Sequence, residues 1–164
     1  MMEKIKELIN LLLADFEIEN ENEIWDTLQL AVDNPEKYLA ENEAEWLLEA
    51  DPDGVIQFAV SNEIGEFMIV GDKIDEIHEL IVDELDGALP PYPYEKKLNA
   101  ADYIEWVSAE LKKEFPELEL IEIGDSYADT IQLMLVYAED VTRIKELCEE
   151  LNIRCNRADE ILKL

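Results

Sequence analysis

The sequence predicts an α+β fold: a four-stranded, mostly antiparallel sheet with helices packed on one face, preceded by an N-terminal helical pair. Three observations carry that prediction. Apolar residues recur at three- and four-residue steps through the first fifty residues. Four short β-type runs, residues 55–60, 66–70, 118–123 and 130–137, are bounded by turn chemistry. The two halves of the chain also repeat an order of Trp-bearing helix, strand, strand, helix. Glu45-Trp46-Leu47 answers Glu105-Trp106-Val107, and Phe67-Met68-Ile69-Val70 answers Leu133-Met134-Leu135-Val136, the pattern of an internal duplication.

In order along the chain, Ile5, Leu8, Ile9, Leu12 and Leu13 mark one face of a first helix, and residues 15–22 form a polar break. Ile24, Trp25, Leu28 and Val32 mark a second helix. It ends at Asn34-Pro35, because the residue before proline avoids the α region while proline suits a helix start. A third stretch runs from about Pro35 to Ala50, with Tyr38, Leu39, Trp46 and Leu47 expected inside. Asp51-Pro52-Asp53-Gly54 is a turn, since proline fixes φ and glycine permits positive φ. After the first strand pair, Ile74, Ile77, Ile81 and Leu85 mark a helix with Gly87 at the C-cap. Leu89-Pro90-Pro91-Tyr92-Pro93-Tyr94 is an extended connector, with Tyr92 and Tyr94 expected over the sheet edge. Asn99 caps the next helix, which Pro116 closes. Two strands follow, then a helix with Val141, Ile144, Leu147, Cys148 and Leu151 inside, and an edge strand with a frayed helical end. The organisation is one domain: a helical segment 1–50, a strand-strand-helix unit 51–87, a connector 88–98 and a helix-strand-strand-helix unit 99–164.

Charge is the strongest functional signal. The 164 residues hold 42 Asp and Glu against 13 Lys and Arg, a formal net charge of -29. With 48% hydrophobic residues in periodic positions, the chain is not of the disordered type, so the acid sits on a folded surface. Such a surface repels nucleic acid and anionic membranes, and no apolar run approaches the roughly 20 residues that span a bilayer. The partner class it attracts is a basic protein or a bound cation, steered over a long range that salt shortens. The N-terminus lacks the small-residue cleavage site of a signal peptide, which points to the cytoplasm.

Two acidic tracts concentrate this charge. In the first, Glu17, Glu19, Glu21 and Glu23 form a strip within a stretch, residues 15–53, whose sole base is Lys37. In the second, Asp75, Glu76, Glu79, Asp83 and Glu84 lie on one predicted helix with no base after Lys73. Like charges three and four residues apart destabilise an isolated helix, and Asp83, Glu84 and Asp86 fall where the helix dipole disfavours anions. Five carboxylates over ten helical residues amount to about one charge per 3 Å of axis, close to the one per ~3.4 Å of a single DNA strand. Such a helix can imitate a phosphate backbone for a basic groove on another protein. A merely solvated face explains the same residues.

Other constellations have structural explanations. Asp51-Pro52-Asp53-Gly54 lacks the further acids of a calcium loop. Gly124-Asp125-Ser126-Tyr127-Ala128-Asp129 reads as a hairpin loop. His78, the sole histidine, lies beside the apolar stripe and reads as a packed residue. Cys148 and Cys155, with six residues between them, read as reduced and structural, although that spacing permits pairing. No glycine-rich phosphate loop is present, and no cofactor is expected.

The acidic helical N-terminus, Trp46-Leu47-Leu48 followed by short strands, and Leu147-Cys148-Glu149-Glu150-Leu151-Asn152-Ile153 resemble small acidic bacterial proteins of unknown function. They are also similar to the immunity proteins that neutralise polymorphic toxins. That resemblance implies a bacterial cytoplasmic protein acting by stoichiometric binding. The expected function is therefore a non-enzymatic protein that occludes a basic surface through the two strips. The alternatives are a small carboxylate- or metal-dependent hydrolase and a structural or regulatory module.

Overall fold

The computed structural model describes residues 1–14, 16–93, 95–128 and 130–161. Of the residues singled out above, Asp15, Tyr94 and Asp129 lie outside the described ones. The chain is α+β, as its periodicities predict. The N-terminal part holds α1 (Met2–Leu13), α2 (Glu21–Asp33), α3 (Pro35–Glu41) and α4 (Leu47–Ala50), followed by α5 (Val55–Ile64). Strand β1 (Ile69–Gly71) leads to α6 (Ile74–Glu84) and, after the proline-rich connector, to α7 (Ala100–Glu114). Strands β2 (Leu118–Ile123) and β3 (Ile131–Tyr137), helix α8 (Val141–Leu151), strand β4 (Cys155–Arg157) and a last turn, α9 (Ala158–Ile161), complete it.

The sheet is antiparallel throughout, in the order β1-β3-β2-β4. Leu118 pairs with Tyr137 at one end of the central hairpin, and Ile123 pairs with Cys155 at the edge formed by β4. Helices cover both faces, not the one face expected. Ile121, Ile123, Met134 and Val136 share a core with α1, α2, α3, α5 and α8. Leu120 and Leu133 share a second core with Ile69, α6 and α7. The unbroken run Leu133-Met134-Leu135-Val136 is the cause: successive side chains point to opposite faces, so a run without polar alternation must be covered on both.

Residues 55–60, expected as a strand, form the first half of α5. Val55, Ala59, Val60 and Ile64 are buried at four- and five-residue steps, with Gln57 buried among them. A short β-branched apolar run is ambiguous between strand and buried helix, and here the 3-10 turn Pro52–Gly54 starts a helix. The expected strand-strand-helix unit therefore has a single strand, and the order that would mark an internal duplication is absent from the first half. The helix expected over residues 35–50 is interrupted between α3 and α4, where Glu43 adopts φ 53°. Trp46 lies in that interruption and is 46% exposed, not buried. Its ring meets those of Phe58 and Tyr127 edge-on at 6.2 and 5.6 Å.

Both expected caps are formed. The Asn34 side chain accepts from Lys37 N–H at 3.2 Å, and the Asn99 side chain accepts from Asp102 N–H at 2.8 Å. At the end of α6, however, Asp86 and not Gly87 takes the first left-handed position, with φ 53°. Gly87 N–H then donates back to the Val82 carbonyl at 2.9 Å, closing a Schellman turn one residue earlier than expected. Asp86→Gly should therefore raise stability by about 1 kcal/mol, by relieving a left-handed non-glycine residue and removing an anion from a helix C-terminus. Urea unfolding measures this, and an unchanged midpoint would mean that Asp86 is supported by something beyond its own backbone.

Candidate functional site

Helix α6 sorts its residues cleanly. Ile77, His78 and Ile81 face the core. At about 100° per residue, Asp75, Glu76, Glu79 and Asp83 fall within a stripe about 100° wide on the opposite side. Glu76, Glu79, Asp83 and Glu84 are exposed and Asp75 is half-buried. Asp75 and Glu76 occupy the first turn, where the helix dipole favours them, whereas Asp83 and Glu84 are at the unfavourable end with no base in the last turn. The second strip is exposed at all four positions. Glu21 and Glu23 belong to the first turn of α2, and Glu21 accepts from the Trp25 indole N–H at 3.1 Å.

His78 fixes α6 in place. Its Nε2 lies 2.7 Å from the Pro90 carbonyl, which can only accept, so Nε2 carries the hydrogen. Nδ1, 3.0 Å from the Tyr103 hydroxyl, accepts from it. Burial, and then the neighbouring Tyr92, pushes the Tyr103 phenol well above its usual range, which keeps it a donor. The histidine is thus a packed residue joining α6, α7 and the connector. The Tyr92 ring packs tilted against His78 and Tyr103, with centroids 6.1 and 5.9 Å apart, and against the core that also holds Ile69 of β1.

The structure brings Glu84 of α6 and Glu17 and Glu21 of the second strip to neighbouring clefts, while Glu79 and Asp83 line another cleft beside His78 and Tyr92. One cleft, of about 290 Å³, opens where the α1 and α6 layers meet across the Leu118–Tyr137 end of the β2-β3 hairpin. Leu13, Phe16, Leu85, Leu118 and Leu135 wall it, with Glu84 at its rim as the lone charged residue among the described ones. A second cleft, of about 390 Å³, shares Leu13, Ala14 and Phe16 with the first and carries Glu17 and Glu21. Phe16, 44% exposed and 5.6 Å from the Phe67 ring, therefore stands between Glu84 on one side and Glu17 and Glu21 on the other. The apolar wall, and then Asp83, holds the Glu84 carboxyl above its ordinary value of 4.5. Phe16 is a residue the sequence reading passes over. Its one signal is an aromatic side chain inside an otherwise polar break.

Cations are directed elsewhere. Arg143 grips Glu7 with two bonds, at 2.7 and 2.9 Å, and also reaches Glu146 at 3.2 Å. Lys4 pairs with Glu150, Arg154 with Glu122 and Lys145 with Glu160, all on the side of α1, α8 and the β4 edge. Among the described residues, no ion pair engages any of the nine strip carboxylates.

The remaining acidic candidates are structural. The Tyr127 hydroxyl donates to Asp51 Oδ2 at 2.7 Å and accepts from Gln57 Nε2 at 3.0 Å, clamping the Pro52–Gly54 turn to the hairpin loop. Burial first, and then the bond to Asp51, pushes that phenol up to about 12. Asp125 Oδ1 accepts from Tyr127 N–H at 2.8 Å, a local turn contact. Among the described residues, no three His, Cys, Asp or Glu side chains gather closely enough to hold a metal ion. None of their helices is long and apolar enough to cross a membrane. Compared with protein-family models, with curated proteins and with solved structures, the chain matches none of them.

Proposed function

We propose that this chain is a non-enzymatic acidic binding protein that occludes a basic protein surface, as an immunity protein, an inhibitor or a nucleic-acid mimic does in the bacterial cytoplasm. The observation that carries the reading is that, among the described residues, no ion pair engages the nine strip carboxylates, three of which, Glu84, Glu17 and Glu21, line the neighbouring clefts around Phe16. A solvated face needs neither feature: in a chain with so few bases, ion pairs would settle wherever acids lie. Charge at the rim steers encounter, and apolar anchors at the centre of a contact supply its lifetime. The matching partner surface presents Lys or Arg around one or two apolar side chains.

The probe is a Lys/Arg-rich helical peptide with a leucine at its centre, titrated calorimetrically at rising NaCl and pH. Affinity should fall as salt rises. It should grow as pH climbs through the raised value of Glu84, because proton and cation compete for that carboxylate. The sign for folding is opposite: a raised carboxyl favours the fold while protonated, and that contribution is lost as the pH climbs through the same range. Glu84→Gln should flatten the pH dependence of binding. Binding that ignores both salt and pH would end this reading.

A further inference from the structure

The two cysteines make a site that the acidic face does not use. Cys148 lies in the last turn of α8, and Asn152, left-handed at φ 58°, reverses the chain immediately after it. Ile153 N–H donates back to the Cys148 carbonyl at 2.8 Å, the closing bond of a Schellman turn. Two residues later the chain enters β4 against Ile123, so Cys155 returns beside the residue it left. The two thiols lie close enough to perturb each other. Both line one open cleft of about 710 Å³ together with Thr142, Lys145, Ile153 and Arg157.

Their environments differ in a way that assigns an order. Cys148 is 1% exposed and Cys155 is half-buried, so a reagent entering the cleft meets Cys155 first. The neighbouring Cys148, against the opposing effect of burial and with Lys145 and Arg157 outweighing Glu160, holds the Cys155 thiol below its usual range, while Cys155 and burial push Cys148 up. A thiolate is the attacking species in thiol–disulfide exchange.

We propose that Cys155 and Cys148 form a reversible dithiol modification site whose co-reactant is a low-molecular-weight disulfide. The Cys155 thiolate attacks one sulfur of the reagent, its S–S bond breaks, and one thiolate leaves. Cys148 then gives up its proton and attacks the Cys155 sulfur of the mixed disulfide, expelling the second reagent thiolate. The protein loses two hydrogens and two electrons, and the reagent is reduced to two thiols. The product ties the β4 edge strand to α8.

Oxidised glutathione, added to the full chain and followed by intact mass after acid quench, tests this. The expected product is a chain lighter by two hydrogens, free of adduct and restored by dithiothreitol. Trypsin cuts after Lys145, Arg154 and Arg157, so the bridge must link two peptides, Glu146 to Arg154 and Cys155 to Arg157. That mapping needs no variant. Cys148→Ser should instead accumulate one glutathione on Cys155, and Cys155→Ser should react at least about tenfold more slowly. A wild-type chain that keeps a stable adduct, crosslinks between molecules or stays fully reduced would overturn the proposal, as would equal rates for the two variants.

Discussion

Reversing Glu76 and Glu79 together, as Glu76→Lys with Glu79→Lys, is expected to weaken binding of the basic peptide by roughly fifteenfold at low salt. The two changes alter the α6 stripe by four charge units. Acting on one partner cation about 10 Å away across water, four units amount to about 1.7 kcal/mol. Most of the loss should appear in the association rate, because rim charges steer encounter more than they hold the complex. Glu45→Lys with Glu49→Lys makes the same change in net charge on exposed residues flanking α4, on the other side of the sheet from α6. That control should cost less than about threefold at 0.15 M salt, where the Debye length is ~8 Å. Equal losses from both pairs would mean that net charge alone governs binding, and the stripe would then have no special role.

His78→Ala should destabilise the fold by about 3–5 kcal/mol, the range for removing a large buried side chain. The histidine is 2% exposed, and its loss leaves the Tyr103 hydroxyl buried without its partner and removes the bond that ties the Pro90 carbonyl to α6. For a chain of this size that corresponds to a fall in Tm of roughly 10 °C by circular dichroism. A fall of less than about 3 °C would show that α6 is held by Ile77 and Ile81 alone. The functional corollary is that the acidic stripe owes its position to a buried residue on the opposite side of its helix.

Elements whose local chemistry is self-contained were legible in the sequence. Strand β2 spans the residues expected of it, and the helix boundaries at Asn34-Pro35 and Asn99 follow from a capping side chain and a proline. Residues 55–60 were not legible, because valine and isoleucine in a short apolar run satisfy a strand and a buried helix equally. What decided the matter is tertiary: both faces of the sheet needed covering, and α5 supplies part of that cover. The same cause removed the expected duplication. Of the candidate site, the nine carboxylates could be named from spacing, but their relation to each other could not. It depends on how α1 ends beside the β2-β3 hairpin, and on Phe16, which no periodicity marks.

The segregation of ion pairs along α1 has a mechanical consequence. Helices α1 and α8 run antiparallel, since Lys4 meets Glu150 while Glu7 meets Arg143. Lys4 and Arg143 thus accompany the first half of a 12-residue helix about 18 Å long, and Glu17, Glu21 and Glu84, outside the ion pairs of the described residues, line the clefts at its far end. A molecule charged in this lopsided way experiences torque as well as attraction near a cationic body. It would turn the Phe16 end forward before contact, so fewer collisions are spent in unproductive orientations.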